Sequence, residues 1–469
     1  MNKIGWDAKA LVLTALILMT ACHNSDQVRE ARSTASPVAH SSLASEERSL
    51  VAHTYNSGFA LAHDSYNGIS SASDGNIYYI LSSEDINTGA QMYSYDPAGK
   101  ITHLGDLTEI SGEKGLKAIP QGKSHVAFSE YGNKLYFATH IGYYTKRNGM
   151  ELYPVPPQGY EPYPGGHFLS YDLKTGQFEN YVTAPHAEGI IAMAADGPRG
   201  RLYGLTWPTG YFIYYDLKTK KLKDLGRTSA LGESVRGAEY RTLCRSLALD
   251  PSDGSVYFTT SEGNIYRYRY DIDGIEKVLG DNMRRDYFGV YDPTSMGTMG
   301  YNWRQTVWYA PEKMVYGVHG NSGYLFRFDP SKQRLETLDR ITSLPSQRSG
   351  MNDEFSYGYL GFKLGPDGRT LHYLTGGPVY LNGKRVAGTK SAATGGAKGV
   401  EDLHLVTYDI PSLRYVDHGA IFFENGQRPS YVNSIAIGTD GSVYFLSRIT
   451  EGGKTRTDLC SIKGPFSTQ

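Results

Sequence analysis

From Ser49 onward the apolar positions come in short clusters, each preceded by a turn. The clusters are Ile77-Tyr-Tyr-Ile-Leu81, Leu135-Tyr-Phe-Ala-Thr139, Leu202-Tyr-Gly-Leu-Thr206, Val256-Tyr-Phe-Thr-Thr260, Val315-Tyr-Gly-Val-His319, Leu371-His-Tyr-Leu-Thr375 and Val443-Tyr-Phe-Leu-Ser447. Four of these are followed by a second signature: Tyr93-Ser-Tyr-Asp96, Leu169-Ser-Tyr-Asp172, Ile213-Tyr-Tyr-Asp216 and Phe326-Arg-Phe-Asp329. Further apolar strands such as Ser246-Leu-Ala-Leu-Asp250 and Asn433-Ser-Ile-Ala-Ile437 precede several copies. No stretch of useful length carries the period of an amphipathic helix. The pattern predicts seven units, 54 to 72 residues apart, each with about four strands joined by hairpins. Such a unit cannot bury both faces alone, so the prediction is all-β: a seven-bladed β-propeller of four-stranded antiparallel blades. The segment 49–62, apolar and placed before the first complete blade, is expected to supply an outer strand that closes the last one.

The N-terminus has a different pattern. Lys3 and Lys9 precede the apolar run Leu11–Met19, and Thr20-Ala21-Cys22 follows. The run is too short to span a bilayer and suits a signal peptide. Small residues before a cysteine resemble the lipobox of bacterial lipoproteins, in which Cys22 is acylated. His23 stands where an inner-membrane retention signal places Asp, which points to an outer-membrane lipoprotein; the remaining reading is a secreted protein. The expected division is therefore 1–22 signal peptide and lipobox, 23–49 flexible tether, and 50–469 propeller.

Charge and composition narrow the partners. The chain of 469 residues has 47 Lys+Arg against 48 Asp+Glu, so no net field favours nucleic acid. With three cysteines it is no disulfide-stapled scaffold. Tyr 38 and Gly 54 fit many short strands and tight turns. A monomer is expected.

The repeat also lines up corners. Counting back from each Tyr/Phe-Asp signature gives Gln91, His167, Tyr211 and Tyr324, with Asn264 the nearest counterpart in the fourth blade. The preceding strands end at His140, Trp207, Ser261 and His319. His140, His167, Trp207 and Tyr211 are thus expected together in blades two and three, beside the Tyr-, Pro- and Gly-rich insertion 143–166, which reads as a long functional loop. Arg227 lies eleven residues after Asp216, and Arg340 has the same offset from Asp329. Arg241 and Arg245 add cations near the axis. There is no strongly spaced metal motif; His186 and Cys244 precede the inner strands of neighbouring blades and are the one candidate zinc pair, against the alternative of a buried free cysteine.

Without a paired-carboxylate motif, such a corner is poorly suited to glycoside hydrolysis. It suits proton removal beside a carboxylate: arginine neutralises the uronate, and tyrosine or histidine moves protons. The run Lys134-Leu-Tyr-Phe-Ala-Thr-His140, then Pro162-Tyr-Pro-Gly-Gly-His167-Phe-Leu-Ser-Tyr-Asp172, Thr209-Gly-Tyr211 and Arg227, resembles the seven-bladed propeller polysaccharide lyases that cleave ulvan, distant relatives of oligogalacturonate lyases. The resemblance implies β-elimination at a uronate of an anionic polysaccharide. It implies Tyr211 and His140 as acid/base pair and His167 and Arg227 on the carboxylate. From the residues themselves, Trp207, able to stack on a sugar face, and Tyr324 are expected as further substrate contacts. The resemblance implies no cofactor for the chemistry and admits a structural zinc or calcium. A non-catalytic propeller lipoprotein that binds carbohydrate or protein is the rival reading, and an outer-membrane assembly factor a third.

Overall fold

The computed structural model describes residues 49–64, 66–147, 150–285, 289–349, 360–378, 380–381, 384–385, 401–429 and 432–466. The signal peptide, Cys22 and almost all of the tether lie outside them. Five separate four-stranded sheets follow one another: blade one at 69–106, blade two at 129–183, blade three at 189–227, blade four at 248–277 and blade five at 303–340. An eight-stranded sheet holds the last two. Blade six comprises Leu360–Leu364, Thr370–Pro378, Glu401–Asp409 and Arg414–Phe423. Blade seven comprises Ala436–Ile437, Val443–Glu451 and Lys454–Ile462, completed by the N-terminal strand Ser49–Thr54. The fold is the all-β, seven-bladed propeller that the repeat predicts.

The ring closes through that N-terminal strand. It runs antiparallel to the last strand of the chain, His53 opposite Ser461 and Thr54 opposite Cys460. Its other edge runs parallel to blade six, from Ser49 opposite Ala420 to Ala52 opposite Phe423. Neighbouring blades bury aromatic faces against each other: Phe212 of blade three stacks on Phe258 of blade four at 5.3 Å, and Tyr203 meets Tyr268 at 5.2 Å. Trp303 of blade five, fully buried, donates its indole N–H to the Ser246 carbonyl at the inner strand of blade four, 2.9 Å.

Two local devices recur at the outer corners. Gln91, His167, Tyr211 and Tyr324 each begin the third strand of their blade, as the alignment expects. Within one or two residues the pairing with the fourth strand slips by one, at Met92/Tyr93, Phe168/Leu169, Tyr211/Ile213 and Leu325/Phe326. A bulge re-aims the side chain that opens the strand. Gly210 and Gly323 precede Tyr211 and Tyr324 with φ of 89° and 65°, a conformation that costs glycine nothing. The insertion 143–166 contains a small hairpin, Thr145–Arg147 with Met150–Leu152, where the sequence suggests only loop.

In the closing strand Ala52 is 0% exposed and Val51 59% exposed. Ala52→Asp should lower stability by about 3 kcal/mol or more by burying a charge without a partner, while Val51→Asp should stay within about 0.5 kcal/mol. Thermal or urea unfolding checks this; equal losses would show that the strand does not close the ring.

Candidate functional site

A file of tilted and edge-on ring contacts runs from the axis to the insertion of blade two. Tyr66 meets His125 at 4.4 Å, His125 meets His140 at 4.5 Å, and His140 meets Trp207 at 5.2 Å. Trp207 then meets Tyr153 at 5.1 Å and Tyr144 at 6.1 Å, both from the insertion. Lys123 sets its ammonium 4.8 Å from the rings of Tyr66 and of Tyr144, with Glu84 at 3.6 Å. A cation between two ring faces is held by their quadrupoles. Trp207 is anchored by its indole N–H, which donates to Glu233 Oε2 at 2.8 Å. Glu233 also accepts from the Leu243 amide at 2.9 Å and pairs with Arg245 at 2.7 Å. Burial works to raise the Glu233 carboxyl, but Arg245, the Leu243 amide and Trp207 hold it below its ordinary value.

His140 is 1% exposed. Its Nδ1 lies 3.0 Å from the Ile141 carbonyl, which can only accept, so Nδ1 carries the proton and Nε2 the lone pair. Nε2 is buried without a partner. Burial first, then the charges of Lys123 and Arg245, push the imidazole down to about 3, so it is neutral across physiological pH. Burial and the same cations, with Arg304, hold His125 well below its usual range.

A second cluster forms the outer corner of blade three. Tyr211 lies in register with Arg227 on the adjacent strand. The His186 ring stacks on Tyr211 at 4.0 Å and 23°, and its Nε2 pairs with Asp224 at 2.7 Å. His186 and Ala187 both take positive φ, 61° and 55°. Such backbone costs about 1–3 kcal/mol per residue and clusters at functional sites; here the Asp224 pair and the Tyr153 hydroxyl, which donates to the Ala187 carbonyl, hold it. Arg227 is exposed and takes no ion pair among the described residues. Blade five repeats the register, Tyr324 opposite Arg340, but Arg340 is half-buried and donates to Ser346 Oγ at 3.5 Å. The two arginines share a sequence offset and differ in availability.

The expected quartet of His140, His167, Trp207 and Tyr211 is therefore only partly assembled. His140 and Trp207 touch; no hydrogen bond or ring contact joins them to the side chains of His167 or Tyr211. His167 is buried, with Nε2 2.6 Å from Glu113 and Nδ1 3.0 Å from Asn180, so both nitrogens that would meet a uronate carboxylate are occupied. Tyr324 stands in blade five, away from this corner. His186 and Cys244 do not assemble as a zinc site among the described residues: His186 belongs to Asp224 and Tyr211, while the buried Cys244 thiol donates to the Ser246 carbonyl at 3.1 Å. Cys244 and Cys460 are both free. Arg241 and Arg245 are not exposed surface cations; they pair with Glu262 and Glu233.

Sequence reasoning missed Glu113, Lys123, His125, Glu188 and Glu233. All lie in irregular connections, where the repeat offers no alignment. Glu188 is buried, accepting from Thr206 Oγ1 at 2.5 Å and the Thr209 amide at 3.0 Å, and so braces the hairpin 207–211 between Trp207 and Tyr211. Among the described residues one group of three metal-capable side chains comes together, His63, Asp64 and Glu84, with ligand atoms within 4.8 Å of one another. Arg448 already pairs with Asp64 and Lys123 faces Glu84, so two cations occupy the charge a metal would need.

No family model and no curated protein matches the chain. Among solved structures it is similar to virginiamycin B lyase from Staphylococcus aureus, with 10% identity over 88% of this chain and 99% of that one, at a TM-score of 0.47. It is also similar to the extracellular domain of a one-component system from B. thetaiotaomicron, with 13% identity over 88% of this chain and 40% of that one, at 0.44. A chain of the mitotic checkpoint complex gives 9% identity, 97% and 100% coverage and 0.48.

Buried neutral histidines make stability depend on pH. His140 and His319 are both pushed down to about 3, chiefly by burial. Unfolded, they titrate near ~6.5. Between these values the unfolded chain binds protons that the folded chain does not, so stability falls as pH falls below about 6.5. The loss per histidine at pH 5 is about 2 kcal/mol. Urea unfolding at pH 7 and pH 5 should show it, and His140→Gln should flatten the slope. A slope unchanged in His140→Gln would mean that His140 is protonated in the folded protein.

Proposed function

We propose that the chain is a polysaccharide lyase that cleaves a uronate-containing polymer, of the ulvan type that the sequence resembles, by β-elimination. The observation that carries the reading is the Tyr211–Arg227 register pair, with Arg227 exposed and unengaged and Tyr211 stacked on the strained His186. The hairpin 207–211 joins this pair to the ring file, since Trp207 at one end rests on His140 and Tyr211 at the other rests on His186. A polymer laid along that strip would meet an arginine, a tyrosine and an indole in order, with the neutral imidazole of His140 buried against the indole.

In this reading Arg227 forks the uronate carboxylate and stabilises the charge that develops when the C5 proton leaves. The C5–H electron pair becomes the C4–C5 double bond as the C4–O bond breaks, and the leaving oxygen takes a proton. Tyr211 and His140 are the acid/base pair; the unpartnered Nε2 of His140 is a ready acceptor. Trp207 offers a sugar platform. His167 supports the corner through Glu113, a change from the carboxylate role that the resemblance implies. The burial of His140 favours one alternative, a carbohydrate-binding propeller without catalysis.

Incubation with ulvan, pectate, alginate and glycosaminoglycans, following the ultraviolet absorbance of the unsaturated uronyl product, separates the two; a flat trace on all four supports binding only. Tyr211→Phe should reduce turnover by about two to four orders of magnitude while the protein melts normally. Arg227→Ala should cost about 10²–10³ in kcat, and Arg340→Ala little. Equal effects of the two arginine variants would remove the assignment of Arg227.

The same reading puts the enzyme at the cell envelope through Cys22. Cys22→Ser should leave a folded protein in the soluble fraction where wild type sediments with membranes. Identical fractionation of the two would end the lipoprotein assignment.

A further inference from the structure

A half-open cavity of about 340 Å³ lies at the axis of the ring, lined by residues from all seven blades. The first residues of the repeat clusters in blades one, four, five and seven, Ile77, Val256, Val315 and Val443, pair with Ser71, Leu249, Trp308 and Ile437 of the inner strands. Four residues before those partners stand Asn67, Arg245, Arg304 and Asn433. Of these four, Asn67 and Arg245 line the cavity itself. Arg304 donates to Asn433 Oδ1 at 3.4 Å, and Gln305 donates to Asn67 Oδ1 at 3.1 Å. His125 of blade two also lines the cavity.

Lys363 of blade six, one residue before the Leu364 that pairs with Leu371, lines the same cavity. It has no hydrogen bond or ion pair among the described residues, and burial pushes its ammonium below its ordinary range. No Asp or Glu is among the described residues that line the cavity; Glu233 reaches Arg245 from outside it. Lys363 is half-buried, and an ammonium held partly out of water without a counter-charge is costly. The cavity far exceeds the ~30 Å³ share of one water.

We propose that the axial cavity is a binding site for a small oxyanion, either sulfate or a free uronate carboxylate, taken by Lys363 and Arg245 with Gln305 and His125 around it. The anion supplies the counter-charge that Lys363 lacks, while Arg245 keeps its pair with Glu233. The site is distinct from the strip on blades two and three, and meets it where His125 touches His140 and where Glu233 bridges Arg245 to Trp207. It stands whether or not the chain is a lyase.

Calorimetry and thermal unfolding of the full chain decide it, with sodium sulfate and sodium glucuronate each compared with sodium chloride at matched ionic strength. A saturable heat and a raised melting temperature are expected with at least one of the two; the one that acts names the source. Lys363→Met should weaken that binding at least tenfold and, without anion, should melt no lower than wild type. Lys221→Met, an exposed lysine on the outer strand of blade three, should bind as wild type does. No response beyond chloride, or an undiminished response in Lys363→Met, overturns the proposal. Should Lys363→Met fail to fold, the ring resonances of His125 in wild type decide: a saturable anion-dependent shift supports the site and none overturns it.

Discussion

Everything in this molecule depends on the fact that a four-stranded sheet has two apolar faces and no way of covering them by itself. Each blade borrows its cover from its neighbours, as Tyr203 and Phe212 of blade three do from Tyr268 and Phe258 of blade four. A row of such sheets ends in two bare faces and a bare edge. Curling into a ring removes both, but only if the ends of the chain meet. The antiparallel pairing of Ser49–Thr54 with Lys454–Ile462 achieves this with backbone hydrogen bonds, and the parallel contact with blade six locks the strand from its other side. Burial throughout the ring is thus coupled to a few residues at each end of the chain.

The ring frees the connections from any duty to the core, and chemistry can gather there. Blade two uses that freedom most. Its insertion brings Tyr144 and Tyr153 over Trp207, and the tyrosine hydroxyl at 153 reaches across to hold the strained backbone at Ala187. Blades three and five carry the same bulge and the same Tyr–Arg register. What distinguishes them is the neighbourhood: the blade-three arginine faces solvent beside the stacked His186, whereas Arg340 is tied to Ser346.

At the axis the electrostatics follow from desolvation. His125 and His140 are held neutral by burial and by the cations around them, and Glu233 keeps its charge only because Arg245, Trp207 and a backbone amide surround it. Partial burial likewise pushes the Lys363 ammonium, which has no counter-charge beside it among the described residues, below its ordinary range. Polar groups here are arranged in files that run between blades, so each depends on the ring being closed.

The architecture was legible because the period-two strand pattern and its turn residues are local. Seven copies of one cluster fix the blade count, and the glycines before Tyr211 and Tyr324 fix where third strands begin. The same counting found the Tyr211–Arg227 pair, since both lie on regular strands at a constant offset. It could not find Glu113 behind His167, Glu233 behind Trp207 or Lys123 between two tyrosines, because each reaches its partner from an irregular connection. It also put His140 and His167 on one corner when their rings turn to different partners. A sequence repeat specifies the position of a Cα along a blade; which way the side chain turns, and whether it is left free, is decided by the neighbouring blade that packs against it.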